Sequence, residues 1–202
     1  LFRGWIYTCS FGPLDVSPSL LARCLLAAGA AAGLCQSYAI PFRWNRGPEG
    51  RWWESVRRRI SRLAGRLDAQ AGPRPIAASE YAGSLDLSLH ETEALLWADG
   101  FIRNPIARLK VRSGTPVAGS WVSRESPLAP LQLHLMLFEG EDGTDVYAHQ
   151  ELSSVNPLCA ADHFTGQGQS VAAGVSRARE LLPLDSSHAP ENPPDGPWNA
   201  TG

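Results

Sequence analysis

The stretch LQLHLMLFEGEDGTDVYAHQEL, residues 131–152, decides the fold. Two runs of alternating apolar and polar residues flank the turn-rich Glu139-Gly140-Glu141-Asp142-Gly143-Thr144, the pattern of an antiparallel hairpin with a loop longer than two residues. Pairing Phe138 with Asp145 sets Met136 opposite Tyr147, His134 opposite His149 and Gln132 opposite Glu151. Because strand side chains alternate, Leu131, Leu133, Leu135, Leu137, Val146 and Ala148 then share one face and both histidines the other.

Working outward, the flanking sequence supplies partners for this hairpin. Glu80 to Leu87 reads as a short strand. Ser88 starts a helix, with Glu91 completing a capping box and Gly100 ending it, and Leu95, Leu96 and Phe101 face the core. Ile106 to Arg112 alternates, with Leu109 and Val111 on one side and Arg108, Lys110 and Arg112 on the other. Ser113-Gly114 turns the chain into a partner strand, Val117 to Arg124. Ser170 to Leu182 is the last helix, with Val171, Val175, Ala178 and Leu182 on one stripe. The expected fold is α+β: an antiparallel meander in the order strand, helix, four strands, helix, with both helices on the leucine face. The opposite face is expected to be open to solvent or to a ligand.

The 202 residues give room for one medium domain with appendages, and the 44% hydrophobic content suits a globular core. The net charge of −2 hides an asymmetry. Pro41 to Pro75 holds nine Arg against three acidic residues, a net +6, whereas Ile76 to Gly202 holds seven basic against sixteen acidic residues, a net −9. Four regions follow: an apolar extension (1–50), a basic amphipathic helix and linker (51–75), the compact domain (76–182) and a Pro- and Asn-rich tail (183–202) expected to be disordered. The only methionine is Met136, so residues 1–50 are expected to lie outside the working protein, and their run Leu20 to Ile40 is marginal as a membrane span.

In the basic helix Trp53, Val56, Ile60, Leu63 and Leu67 form an apolar stripe, and Arg57, Arg58, Arg59, Arg62 and Arg66 line much of the rest. Two readings stay open: a surface helix for anionic lipid or nucleic acid, nucleic acid being the weaker partner, or a solvated helix docked on the acidic body through its stripe. Cys9, Cys24, Cys35 and Cys159 form no C-x-x-C pair, so neither a disulfide framework nor a zinc-cysteine site is signalled, and a reducing, cytoplasmic setting is expected. Membrane association through residues 20–66 is the alternative.

The chemistry gathers on the histidine face. His134 and His149 are cross-strand neighbours, Glu151 lies one step along, and Tyr147 and Gln132 sit beside them. Two neutral imidazoles and a carboxylate can hold a divalent transition metal, and the same trio can do acid–base work. The basic row Arg108, Lys110 and Arg112 is expected on this face, suiting an anionic ligand. His163 is a further imidazole of unfixed position, and His90 reads as solvated. The chain has no phosphate-cradling glycine loop, no dinucleotide fingerprint, no G-x-S-x-G and no H-E-x-x-H. The H-x-T motif of the two-histidine phosphoesterases fails twice, since Met136 and Glu151 stand where hydroxyls are needed.

Asp99-Gly100-Phe101 with Asn104-Pro105, Gly119-Ser120-Trp121, Gln132-Leu133-His134 and Asp145-Val146-Tyr147-Ala148-His149 together resemble a family of short α+β proteins common in haloarchaea. The resemblance covers about residues 80–182. That family has no assigned activity, so it implies domain limits and no chemistry. The first functional expectation is a binding module using the polar face of the hairpin. The alternatives are a metal- or histidine-dependent hydrolase acting on an anionic substrate, and a membrane-tethered domain.

Overall fold

The computed structural model describes residues 17–21, 23–24, 48–68, 72–104, 107–126, 128–156, 158–159, 162–163 and 167–187. Most of the apolar extension and the tail from residue 188 onward, and so most of the expectations for them, lie outside the described residues. Among the described residues no helix is long and apolar enough to cross a membrane.

In chain order the strands are β1 (Arg74–Pro75), β2 (Tyr81–Leu85), β3 (Ile102–Arg103), β4 (Lys110–Arg112), β5 (Thr115–Pro116), β6 (Gly119–Ser123), β7 (Leu131–Glu139) and β8 (Thr144–Leu152). The helices are α1 (Trp52–Leu67), α2 (Leu89–Ala98) and α3 (Val171–Leu181). β7 and β8 form the hairpin in the expected register, with Phe138 opposite Asp145 and His134 opposite His149. The main sheet runs β2-β8-β7-β6-β3, all neighbours antiparallel.

Both α2 and α3 cover the leucine face, where Leu133, Leu135, Leu137, Val146 and Ala148 pack with Leu89, Leu96, Phe101, Trp121, Ala178 and Leu182. Leu131, at the strand end, is 41% exposed and stands apart from them. Ser88 accepts a hydrogen bond from the Glu91 amide and the Glu91 side chain answers it, so the expected capping box starts α2. α3 lies so close to β8 that a Cβ on Gly174 would meet the His149 backbone at 2.2 Å.

The meander differs from expectation in two places. β4 does not join the main sheet: it pairs in parallel with β1 and antiparallel with β5, forming a small three-stranded sheet. The turn at Ser113-Gly114 is where it was expected, with φ of 49° and 82° at the two residues. Pro116 ends that hairpin, and the chain then passes to β6, whose outer neighbour is β3. The histidine face, moreover, is not open: Ile76, Leu109 and Val117 pack with Tyr81, Met136, Phe138 and Tyr147 into a second apolar cluster, and His134 and His149 are buried. An alternating run of three residues satisfies either sheet, so alternation could not choose between them.

In α1 Glu54, Arg57, Ser61 and Ala64 are buried; of the expected stripe Val56, Ile60 and Leu67 are half-buried, Leu63 is exposed, and the Trp53 side chain lies outside the described ones. Polar pairs attach it: Arg57 donates to the Ala107 carbonyl (2.9 Å), and Arg103, itself bound to Glu93 (2.8 Å), reaches Glu54 (3.4 Å). Past α3 the described chain runs to Ser187, and Asp185 bridges the main chain of Ser84, so the first residues assigned to the tail pack on the fold.

Candidate functional site

The pleat of the hairpin sets His134, His149, Gln132 and Glu151 on one face as two cross-strand pairs. His134 Nδ1 and His149 Nε2 stand 3.1 Å apart, and the rings meet nearly at right angles, at 89°. The Glu151 carboxylate closes the group, with one oxygen 3.2 Å from His149 Nε2 and the other 3.4 Å from His134 Nδ1. These three residues converge among the described residues as a group able to hold a metal ion.

Each of the three is held from behind. His149 Nδ1 lies 2.8 Å from a Glu80 oxygen, and His134 Nε2 lies 2.7 Å from the Ser120 hydroxyl. Gln132 donates to Glu151 at 2.6 Å and accepts from Arg124 Nε at 2.8 Å. Glu80 ends a 3-10 turn just before β2, and its second oxygen accepts from the Ala77 amide (2.9 Å) with Lys110 3.5 Å away. Every donor that points at the centre thus has its other end tied to a neighbour.

The charges follow from this geometry. Burial drives the His134 ring down to about 3, and the nearby His149 and Arg57 charges add to it against Glu151. Burial also works against a charged His149, but hydrogen bonds to Glu151 and Glu80 and their two negative charges outweigh it and raise its pKa. Glu80 and Glu151 are both held near 2, burial being overcome at Glu80 chiefly by His149 and Lys110 and at Glu151 by the surrounding imidazoles. With His149 protonated, the arrangement is one imidazolium between two carboxylates, beside one neutral imidazole whose Nε2–H can donate to Ser120. His134 Nδ1 is then an acceptor aimed at the centre.

The expected residues divide accordingly. His134, His149, Glu151 and Gln132 come together as read. Tyr147 reaches the same face but is fully buried in the second apolar cluster, edge-on to Tyr81 (5.4 Å) and Phe138 (5.3 Å), with Arg112 on its hydroxyl. The basic row does not line the site as expected. It belongs to the small sheet, where Arg112 is committed to Asp145 and the Glu139 carbonyl, and Arg108 is exposed. Lys110 alone touches the group, through Glu80. His163 donates from Nδ1 to the Leu152 carbonyl (2.8 Å) and lies 3.6 Å from Glu151, at the rim of the group. His90 is exposed, as read.

Sequence reasoning missed Glu80, Ser120 and Arg124. Ser120 was findable, because Trp121 on the leucine face forces its neighbour onto the other. The chain matches no family model, no curated protein and no solved structure.

Proposed function

We propose that this is a binding domain whose ligand is a divalent transition-metal ion of the zinc or iron(II) class, held by His134 Nδ1, His149 Nε2 and Glu151. The observation that carries the reading is the 3.1 Å separation of the two imidazole nitrogens. Two nitrogens each about 2.1 Å from one ion stand about 3.0 Å apart at an octahedral right angle and about 3.4 Å apart at the tetrahedral angle of zinc, a few tenths of an ångström from the separation seen. The surroundings support it. Metal-bound histidines donate their second ring nitrogen to a carboxylate or other acceptor, which Glu80 and Ser120 offer here. Two carboxylates of low pKa also leave the group short of positive charge. An ion would replace the proton on His149 Nε2, so binding releases a proton.

Untagged protein, stripped with a chelator, tests this by calorimetric titration with zinc and, without oxygen, with iron(II). The reading predicts one ion per chain, with binding abolished in His149→Ala; no uptake by the folded stripped protein defeats it. A metal-dependent hydrolase acting on an anionic substrate is the second reading. It is favoured by the count of three protein donors, which leaves coordination positions for water and substrate. Turnover of an aryl phosphate or ester by the loaded protein, absent from the stripped protein, would select it. The reading takes the protein to be cytoplasmic.

A further inference from the structure

α1 leaves two large apolar side chains, Trp52 and Leu63, exposed on its outer side. Residues advance about 100° each around a helix, so Trp52, Val56, Ile60, Leu63 and Leu67 form one row and Arg59, Arg62 and Arg66 the row beside it. Trp52 is 41% and Leu63 48% exposed. Arg59, Arg62 and Arg66 are exposed as well, and Val56, Ile60 and Leu67 are half-buried. The opposite side, Glu54, Arg57, Ser61 and Ala64, is the buried one.

This orientation is fixed. Turning the helix over to bury the stripe would break the Arg57 bond to Ala107 and strand Arg103 between Glu54 and Glu93 without one of its partners. A buried charge that loses its partner is strongly destabilising. Trp52 and Leu63, with the half-buried Val56, Ile60 and Leu67 between and beside them, are therefore on the surface of the folded protein, bordered on one side by three guanidinium groups. The acidic residue of the helix, Glu54, points inward and neutralises none of them.

The geometry points to the surface of an anionic lipid bilayer as the occupant of this face. α1 would lie in the plane of the interface, with Trp52 and Leu63 entering the boundary between headgroups and acyl chains while Arg59, Arg62 and Arg66 meet lipid phosphates. A second copy of the chain fits less well, since it would oppose arginine to arginine. A nucleic acid would use the arginines and leave the leucine row in water. The inference does not rest on the metal reading and survives removal of the ion.

Flotation of the full chain with phosphatidylcholine vesicles, with and without phosphatidylserine, is the test. Binding is expected only to the anionic vesicles and is expected to weaken with salt. Replacing Arg59, Arg62 and Arg66 together by Gln should lower partitioning on the order of 100-fold, at roughly a factor of five per basic residue. Trp52→Ser with Leu63→Ser should lower it while retaining the salt dependence. All five side chains are exposed, and a thermal melt of each variant, taken before flotation, separates loss of binding from loss of fold. Lack of flotation, equal binding to neutral vesicles, or undiminished binding in either variant overturns the inference. So does self-association through Leu63, or retention on nucleic acid, without vesicle binding.

Discussion

The two sides of the β7–β8 hairpin are made from alternate residues of the same strands and are both buried, yet opposite physics holds them there. On the leucine side Leu135, Leu137, Val146 and Ala148 are wholly inaccessible to water because apolar area is removed from solvent under α2 and α3. On the histidine side Gln132, His134 and His149 are nearly as inaccessible, and burial there costs free energy that only complete hydrogen bonding offsets. The first side tolerates a change of shape better than a change of polarity. On the second, losing a single partner leaves charges exposed to a low-dielectric interior. Within each strand, the parity of the residue number thus decides which of the two kinds of burial a side chain meets.

That contrast can be broken most severely at Gly174, where the backbones of α3 and β8 nearly touch. Gly174→Val places carbon inside the His149 main chain and should cost more than about 4 kcal/mol, seen as loss of a cooperative melt and of both sides together. A paired substitution comes next. His149→Ala leaves Glu80 and Glu151 without their shared imidazolium and should cost about 3–5 kcal/mol in the metal-free protein, with metal binding gone. Leu135→Ala should cost about 2–5 kcal/mol and leave metal affinity of the folded protein unchanged. Equal metal binding in the two variants would erase the distinction between the sides.

Acid sharpens it further. His134 is held at about 3 while its unfolded counterpart titrates at 6.5, so below pH 6.5 only the unfolded chain takes up that proton and stability falls, down to about pH 3. Glu80 and Glu151, held near 2 against 4.5, contribute stability that is present above pH 4.5 and is lost as the pH falls toward 2. His149 acts oppositely: its pKa is raised above 6.5, so its contribution is complete below that pH and is lost as the pH rises through the folded value. Denaturant midpoints of the stripped protein should therefore peak close to pH 6.5 and fall on either side. A midpoint flat between pH 4 and 7 would sink this account. Glu80→Gln should weaken metal binding about 10–100-fold by releasing the His149 ring, readable by titration against a competing chelator. Smallest of all, Arg124→Ala removes its bond to Gln132 and the longer one to the Ser154 hydroxyl and should cost about 1 kcal/mol, with little change in metal affinity.

The hairpin was legible because its information is local: the alternation of residues 131–152 and a glycine-containing loop fix the register, and the register places two imidazoles together. The capping box of α2 and the stripe of α3 are legible for the same reason. Glu80 was not, since its partner is 69 residues away and nothing in a 3-10 turn marks a carboxylate as inward-facing. The covering of the histidine face was missed because β4 and β5 are short enough to fit either sheet. α1 shows the limit most clearly. Its periodicity identified the helix and the stripe, but a period says nothing about which side meets the body. That was decided by Glu54, Arg57 and Arg103, whose pairing spans about fifty residues of sequence.

The short segment after α3 has a role that reaches beyond the folded chain. Asp185 exchanges main-chain hydrogen bonds with Ser84 in both directions, at 2.7 and 2.9 Å, along the outer side of β2. An outermost strand with its amides and carbonyls bare invites pairing with another molecule. Leu184 and Asp185 occupy that position first, so a chain cut after Leu182 would keep its core and gain a sticky margin on which molecules could polymerise.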